Sequence, residues 1–535
     1  MILPFARPAF SRALILSVTL LLAFGTVSPA AAQLSPFTQS LAESAASDQV
    51  IATFYRDRGY KTLWTSAEDA ARRNALLTVL SRAADHGLPV QRYDAKALTQ
   101  AFQAARTEAD RGKLEVRMTR AFLDYARDIQ TGILVPAKVD PGIVREVPLR
   151  DPAANLAAFE AASPLTFLHN LPPKSPAYAQ LMKARLQLDA RITSGGWGAQ
   201  IPAGALKPGD TGPMVVAMRD RLIAMDFLKP TASGLYDNAL QKAVQSFQLY
   251  HGLQADGIAG EGTIAEININ PEARLKSVLV AMERERWLNI DRKHRYIWVN
   301  LADFTAKIID NGKITFATRS VVGKNVPDQR TPEFSDVMEL MVINPSWSVP
   351  RSITTKEYLP LLKRNPNAAG HLRIVDRNGR IVSRGSINFN QYTASNFPFS
   401  MSQPPSDGNA LGLVKFLFPN PYNIYLHDTP SKSLFASEVR AFSHGCIRLS
   451  NPFDFAYALL GPQSDDPVAE FKSHLKTGAE SPIRLETPVP VHLVYFTAYP
   501  STKGQIAYRR DIYGRDALIF DALTEAGVAL RAVQG

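Results

Sequence analysis

Near Tyr296 the spacing of apolar residues changes, and nothing else in this 535-residue chain restricts its fold as much. Upstream, apolar residues recur at helical intervals, as in Leu76, Leu77, Leu80 and Ala83, or Ala121, Phe122, Tyr125 and Ile129. Such spacing gathers them on one face of a helix. Downstream they alternate. Ile297, Val299 and Leu301 share one face of a strand, and Ala306 and Ile308 lead into Asn311-Gly312, a hairpin pair that tolerates positive φ at both positions. Ile314 and Phe316 then return, and residues 338–343, 424–426 and 491–499 are further strand candidates. Helices segregated from strands make the fold class α+β and multidomain.

The boundaries follow from the same pattern. Residues 33–200 read as a helical domain, broken into short helices by prolines such as Pro136, Pro152 and Pro176. Residues 206–270 form a small three-helix unit with the stripes Val215, Met218, Leu222 and Leu240, Ala243, Val244, Phe247. A linker helix over 271–295 joins it to a β-rich domain, 296–500, and 501–535 is left as a C-terminal segment. Within the β-rich domain, 351–405 lacks alternation and carries Phe389, Tyr392, Phe397 and Phe399. A loop of that length is expected to be a cap over a site.

Residues 1–32 have the form of a signal peptide: Arg7 and Arg12, an apolar run from 13 to 24, and a small-residue cleavage site at Ala30-Ala31-Ala32. The run falls short of the roughly 20 residues a membrane span needs, so cleavage and export to the periplasm are expected, with no membrane span afterwards. A net charge of +11 suits an anionic partner. Export argues against nucleic acid, and the dispersal of the basic residues fits a solvated basic surface first and an anionic wall polymer as well. Export also makes the single cysteine informative, because oxidising compartments favour paired thiols. A buried small hydrophobe is the alternative to a reactive group.

Its surroundings decide between them. Cys446 lies in Ser443-His444-Gly445-Cys446-Ile447-Arg448-Leu449-Ser450-Asn451, with His427-Asp428-Thr429-Pro430 upstream. A thiol is mostly protonated at neutral pH, so a cysteine nucleophile needs a base. His427, at the end of an expected strand, can be held rigidly against a facing loop, whereas His444 sits in the same tight loop as the sulfur. Gly445 lets the backbone turn and expose N–H groups for an oxyanion. Asn451-Pro452 reads as a helix start, and Arg448 as a partner for a substrate carboxylate. The histidines form no chelating pattern, so no metal is expected.

The string His444-Gly445-Cys446-x-Arg448-x-x-Asn451, with His427 upstream, resembles the L,D-transpeptidase catalytic motif. The flanks Asn344-Pro345-Ser346-Trp347, Asn409-Ala410-Leu411-Gly412 and Tyr425-Leu426-His427-Asp428 are similar to its large, lid-bearing branch. That branch joins a helical scaffold domain, a peptidoglycan-binding domain and a β-rich catalytic domain. Gly252-Leu253-x-x-Asp256-Gly257-x-x-Gly260 within 206–270 resembles the small peptidoglycan-binding domain.

The resemblance implies a catalytic set of Cys446, His427, His444 and Gly445, and substrate contacts at Arg448, Asn451, Ser443, Asp428, Trp347 and Asn409. It implies no cofactor. The partners expected are peptidoglycan stem peptides, the sacculus and other wall-synthesis enzymes. The expected reaction is attack of Cys446 on a tetrapeptide stem, loss of D-Ala and transfer of the thioester to a second stem. The alternatives are a carboxypeptidase, exchange with free D-amino acids, and a non-catalytic wall-binding protein.

Overall fold

A computed structural model describes residues 34–530; the expected signal peptide lies outside them. Its helical part runs from Pro36–Ala45 to Pro176–Thr193. Prolines 136, 152 and 176 open helices rather than interrupt them, since the first helical position has no N–H to lose. The longest helix, Glu108–Thr131, starts in a capping box of Thr107 and Asp110. Its Phe122 stacks on Phe159 at 4.7 Å, and Phe159 stacks on Trp64 at 5.3 Å, which makes an aromatic centre for the domain. Among the described residues no helix is long and apolar enough to cross a membrane.

Three helices, Pro213–Ala224, Asn238–Tyr250 and Glu261–Ile267, form the small domain around the two stripes seen in the sequence. It is docked, not tethered. Arg509 donates to the Tyr250 carbonyl at 2.8 Å while pairing with Asp303, and the Gln254 N–H reaches Glu438 at 3.1 Å.

The expected linker needs correction. Pro271–Trp287 is a helix buried on nearly every side, packed against Pro176–Thr193, the C-terminal helix Arg515–Glu525 and a strand of the β-rich part. Residues between it and Tyr296 are irregular. Even its charged run is enclosed: Arg286 pairs with Glu283 at 2.7 Å, and Arg284 pairs with Glu333. Alternating Glu and Arg hid this position in the sequence, because several partners of the buried charges, Glu333 for Arg284 and the Ile133 and Leu134 N–H groups for Glu283, lie far away along the chain. Residues beyond 500 are likewise part of this shared core and not a separate tail, since Ile519 and Leu523 pack with Val278 and Met282.

The strands are β1 Tyr296–Asn300, β2 Thr305–Asp310, β3 Lys313–Gly323, β4 Phe334–Ile343, β5 Trp347–Ser348, β6 Arg373–Val375 and β7 Ser400–Gln403. After them come β8 Val414–Leu417, β9 Leu426–His427, β10 Ala441–Ser443, β11 Ile447–Leu449, β12 Ser481–Val494, β13 Ala498–Pro500 and β14 Ile506–Tyr508. The main sheet has the order β10-β3-β11-β9-β8-β4-β12-β1-β2, and β2 also pairs with β3. The long β3 makes this closure possible. Its first part pairs with β2 as far as Arg319, while Ser320 and Val321 pair with β11. Ile297 and Val299 point into the sheet's core, as the alternation predicts, while Trp298 faces Phe496 on the helical side. Asn311 and Gly312, with φ of 51° and 77°, form the expected hairpin turn.

Residues 351–405 depart from expectation, because they are not a structureless loop. With β5 they build a three-stranded sheet, β5-β7-β6, over a core that includes Trp347, Leu359, Leu362, Ile374, Phe389, Phe397 and Met401. Strands of two to four residues are too short to show alternation, and the core is completed by turns. Arg384 closes the unit by donating to the carbonyls of Ala368, Ala369 and Leu372 at 2.6 Å.

Candidate active site

The turn between β10 and β11 is held from both sides. Gly445 has φ of +116°, a conformation that disfavours any side chain, and a Cβ there would meet Ile424 at 3.1 Å. Inside the turn, Ser443 Oγ donates to the Cys446 carbonyl at 2.6 Å and accepts the Gly445 N–H at 3.1 Å. Behind it, the Thr331 hydroxyl donates to the Gly445 carbonyl at 2.7 Å and accepts the Gly323 N–H at 2.9 Å. Thr331 is itself braced by Tyr513 and Arg515 from the C-terminal part. Thr331→Val keeps the shape but leaves two buried backbone groups unpaired, so a loss of about 1–3 kcal/mol is expected, read as a lowered melting temperature. Thr331→Ser should melt close to wild type; equal melting of the valine variant would show that this brace contributes nothing.

Cys446 and His427 share a wall. β11 runs parallel to β9 with Ile447 opposite Leu426 and Arg448 opposite His427. The two-residue period of strands then sets Cys446 and Arg448 beside Tyr425 and His427, and all four line one cleft of about 530 Å³. The thiol donates to the Asn423 carbonyl at 3.4 Å rather than to His427. Asn423 has φ of 55°, and the turn that carries it is stapled by Asn420, whose amide donates to the Phe418 and Ile424 carbonyls.

Burial pushes the Cys446 thiol up to about 11, against the opposing pull of Tyr425 and Arg448. His427 is pushed down to about 3 by burial and then by the Arg448 cation, while the carbonyls of Asp428 and Leu411 oppose the shift. The resting pair is therefore neutral thiol and neutral imidazole. With His427 Nδ1 bonded to the Asp428 carbonyl, the ring's proton sits there, and Nε2 is left as the acceptor nitrogen. Arg448 has no acidic partner among the described residues, and its Nε is buried without a hydrogen bond.

Not all of the expected residues join this group. Trp347 does, at the junction with the capping unit. His444 lines the cleft too, with its Nε2 2.6 Å from Glu357 of the cap. Ser443 reaches the cleft, but its hydroxyl is spent within the turn. Asp428 lies outside the cleft and accepts the Leu413 N–H at 2.9 Å and Lys432 at 2.6 Å. Asn409 is fully enclosed, bonded to the Pro404 carbonyl and the Leu411 N–H. Asn451 does precede a helix, Pro452–Leu460, yet its side chain accepts from Thr318 at 3.1 Å instead of capping. Asn409 and Asp428 fix loops because short polar side chains satisfy nearby backbone groups more readily than they reach a ligand, and Asn451 is held by the Thr318 hydroxyl.

Residues the sequence reading passed over line the cleft as well. Tyr425 lies beside Cys446 in the cleft and has its hydroxyl held protonated by burial. Its place two residues before His427 on one strand was a signal for it. Glu357 and Tyr358 of the cap carried no such signal, for they reach the cleft from a π-helical turn, Thr354–Tyr358. Among the described residues no group of three or more His, Cys, Asp or Glu is arranged to hold a metal.

Comparison with known proteins adds to this geometry. Residues 294–468 match the family described as L,D-transpeptidase catalytic domain, 49–184 the scaffold domain, and 211–267 the "Putative peptidoglycan binding domain". The chain is similar to a "Putative L,D-transpeptidase" of Haemophilus influenzae, 31% identical over 291 residues, or 52% of this chain. The match spans 57% of that relative's length. Solved L,D-transpeptidase structures from Xylanimonas cellulosilytica and Stackebrandtia nassauensis are each 15% identical and cover 55% of this chain, and 98% and 96% of their own. Their TM-scores of 0.16 and 0.21 are too low to bear on the fold.

Proposed function

We propose, starting from a chain that carries an L,D-transpeptidase catalytic domain beside a peptidoglycan binding domain and a scaffold domain, that it is an exported enzyme which cross-links peptidoglycan stems through a Cys446 thioester. The sulfur attacks the carbonyl carbon between the third-position diamino acid and D-Ala of a tetrapeptide stem. Its proton passes to Nε2 of His427 and from there to the departing D-Ala nitrogen. The amine of a second stem then attacks the thioester, gives a proton to the same imidazole and releases the thiol, which leaves a 3→3 cross-link.

The observation that carries this reading is the grouping on one wall of the only thiol, a neutral imidazole and an arginine with no acidic partner. Arg448 would take a stem carboxylate. Because its charge helps to depress His427, a bound carboxylate would offset that field and strengthen the base as the substrate arrives. Gly445 gives its N–H to Ser443, so the oxyanion would rely on the N–H of Cys446 itself. A hydrogen bond between Glu357 and His444 and an ion pair between Lys356 and Asp328, each at 2.6 Å, tie the cap above the cleft. Such a cover excludes water and favours an amine acceptor over hydrolysis.

The test is mass spectrometry of the products formed from purified disaccharide-tetrapeptides. A cross-linked dimer with release of D-Ala is expected. Tripeptide alone would make the protein a carboxypeptidase by the same thioester, and unchanged substrate would make it a wall-binding protein.

A further inference from the structure

A larger cleft than the one beside Cys446, of about 1010 Å³, opens between the helix Pro176–Thr193, the small domain and the turn joining β13 to β14. The two clefts share no lining residue. Its volume stands at the upper end of small-molecule sites, which run to about 1,000 Å³, so it has room for a length of polymer.

Its base is rigid. His251 is stacked between Phe247 at 3.8 Å and Tyr508 at 5.6 Å, and Arg274 lies over the Tyr508 ring while paired with Glu266. The walls differ. Lys183, Arg191 and Lys503 line the cleft with no acidic partner among the described residues, and Asp226 is the one carboxylate in the lining. At the edge, the half-buried Trp197 sits in Gly195-Gly196-Trp197-Gly198, where all three glycines have φ between +81° and +96°. Glycine adopts that backbone at little cost, and here it turns the chain just past the helix so that the indole borders the cleft.

We propose that this cleft binds a carboxylate-bearing glycan strand, and that the site is built jointly by the scaffold helix, the small domain and the β13–β14 turn. The chemistry fits a hydroxyl-rich, acidic polymer. An aromatic face packs on a sugar ring, the amides of Gln180, Gln187 and Gln505 can bond to hydroxyls, and the unpaired cations can take carboxylates. A single-stranded nucleic acid would also use cations and rings. The match of 211–267 to a peptidoglycan binding domain favours the glycan, and to that extent the inference rests on the proposed function.

Binding of the full-length protein to purified sacculi tests it, with turnover of a soluble disaccharide-tetrapeptide measured in parallel. In Lys183→Glu/Lys503→Glu both changed side chains are exposed, so the fold should be kept. Sacculus affinity is expected to fall about tenfold or more, and less steeply at high salt, while soluble turnover stays at the wild-type level. Trp197→Ala should show the same split. Wild-type sacculus binding by the folded charge-reversal variant would overturn the proposal, as would competition by a single-stranded oligonucleotide where soluble glycan chains fail to compete. Should wild type bind sacculi yet turn over no soluble substrate, a loss of binding in the variant would still support the cleft while the catalytic reading fell.

Discussion

Cys446→Ala is expected to lose turnover by on the order of 10⁶-fold and to form no covalent adduct, with the fold retained. The chain has one cysteine, so a covalent mass increase abolished by this change has only one thiol to be assigned to. Little structural damage should follow, because the thiol's single hydrogen bond is long, 3.4 Å to the Asn423 carbonyl, and the turn is held by Ser443 and Thr331 instead. A β-lactam of the carbapenem type, which resembles an activated stem carbonyl, should add one mass to wild type and none to the variant. Intact-protein mass spectrometry reads both, and an adduct persisting in the alanine variant would place the nucleophile elsewhere.

His427→Ala should have the second largest effect, and a pH–rate series should reveal its origin. Wild type has a base that stays unprotonated down to about pH 3 and a thiol that ionises alone only near 11. Its acylation rate should therefore be flat across the neutral range. Without the imidazole, the reaction must wait for spontaneous thiolate, whose fraction falls tenfold for each unit of pH below the thiol's own value. The variant should lose about 10²–10⁴-fold at neutral pH, then gain roughly tenfold per pH unit on the way up to about 11. His444→Ala should lose less and show no such slope, since its ring is turned towards Glu357. A flat profile for His427→Ala together with a steep one for His444→Ala would exchange the two roles.

Legibility varied with the range of the forces involved. The hairpin at Asn311-Gly312, the stripes of the small domain and the helix after Asn451 were readable because each depends on neighbours within a few residues. The pairing of His427 with Cys446 on one wall was partly readable, since period-two alternation tells which residues share a face. Its cause was not. β9 and β11 are held in parallel register across about twenty residues of intervening chain, and only the closed sheet fixes that register. Asn409, Asp428 and Asn451 stand in the same motif strings as the cleft residues, and their sequence gives no sign that the first two bond to the backbone and the third to the Thr318 hydroxyl.

By itself, then, the sequence determined which residue types are available for chemistry and the local conformations that depend on near neighbours: one thiol, two histidines beside it, a glycine for the turn, helices before Tyr296 and strands after it. Tertiary structure alone decided which residues share the Cys446 cleft, that residues 351–405 fold with their own core, and that Pro271–Trp287 is buried among all the parts it was expected to link. The reason is physical. Backbone preference acts over a few residues, whereas burial, which sets the thiol and imidazole far from their ordinary ionisation and gives each charged group its partner, exists only once distant segments pack together.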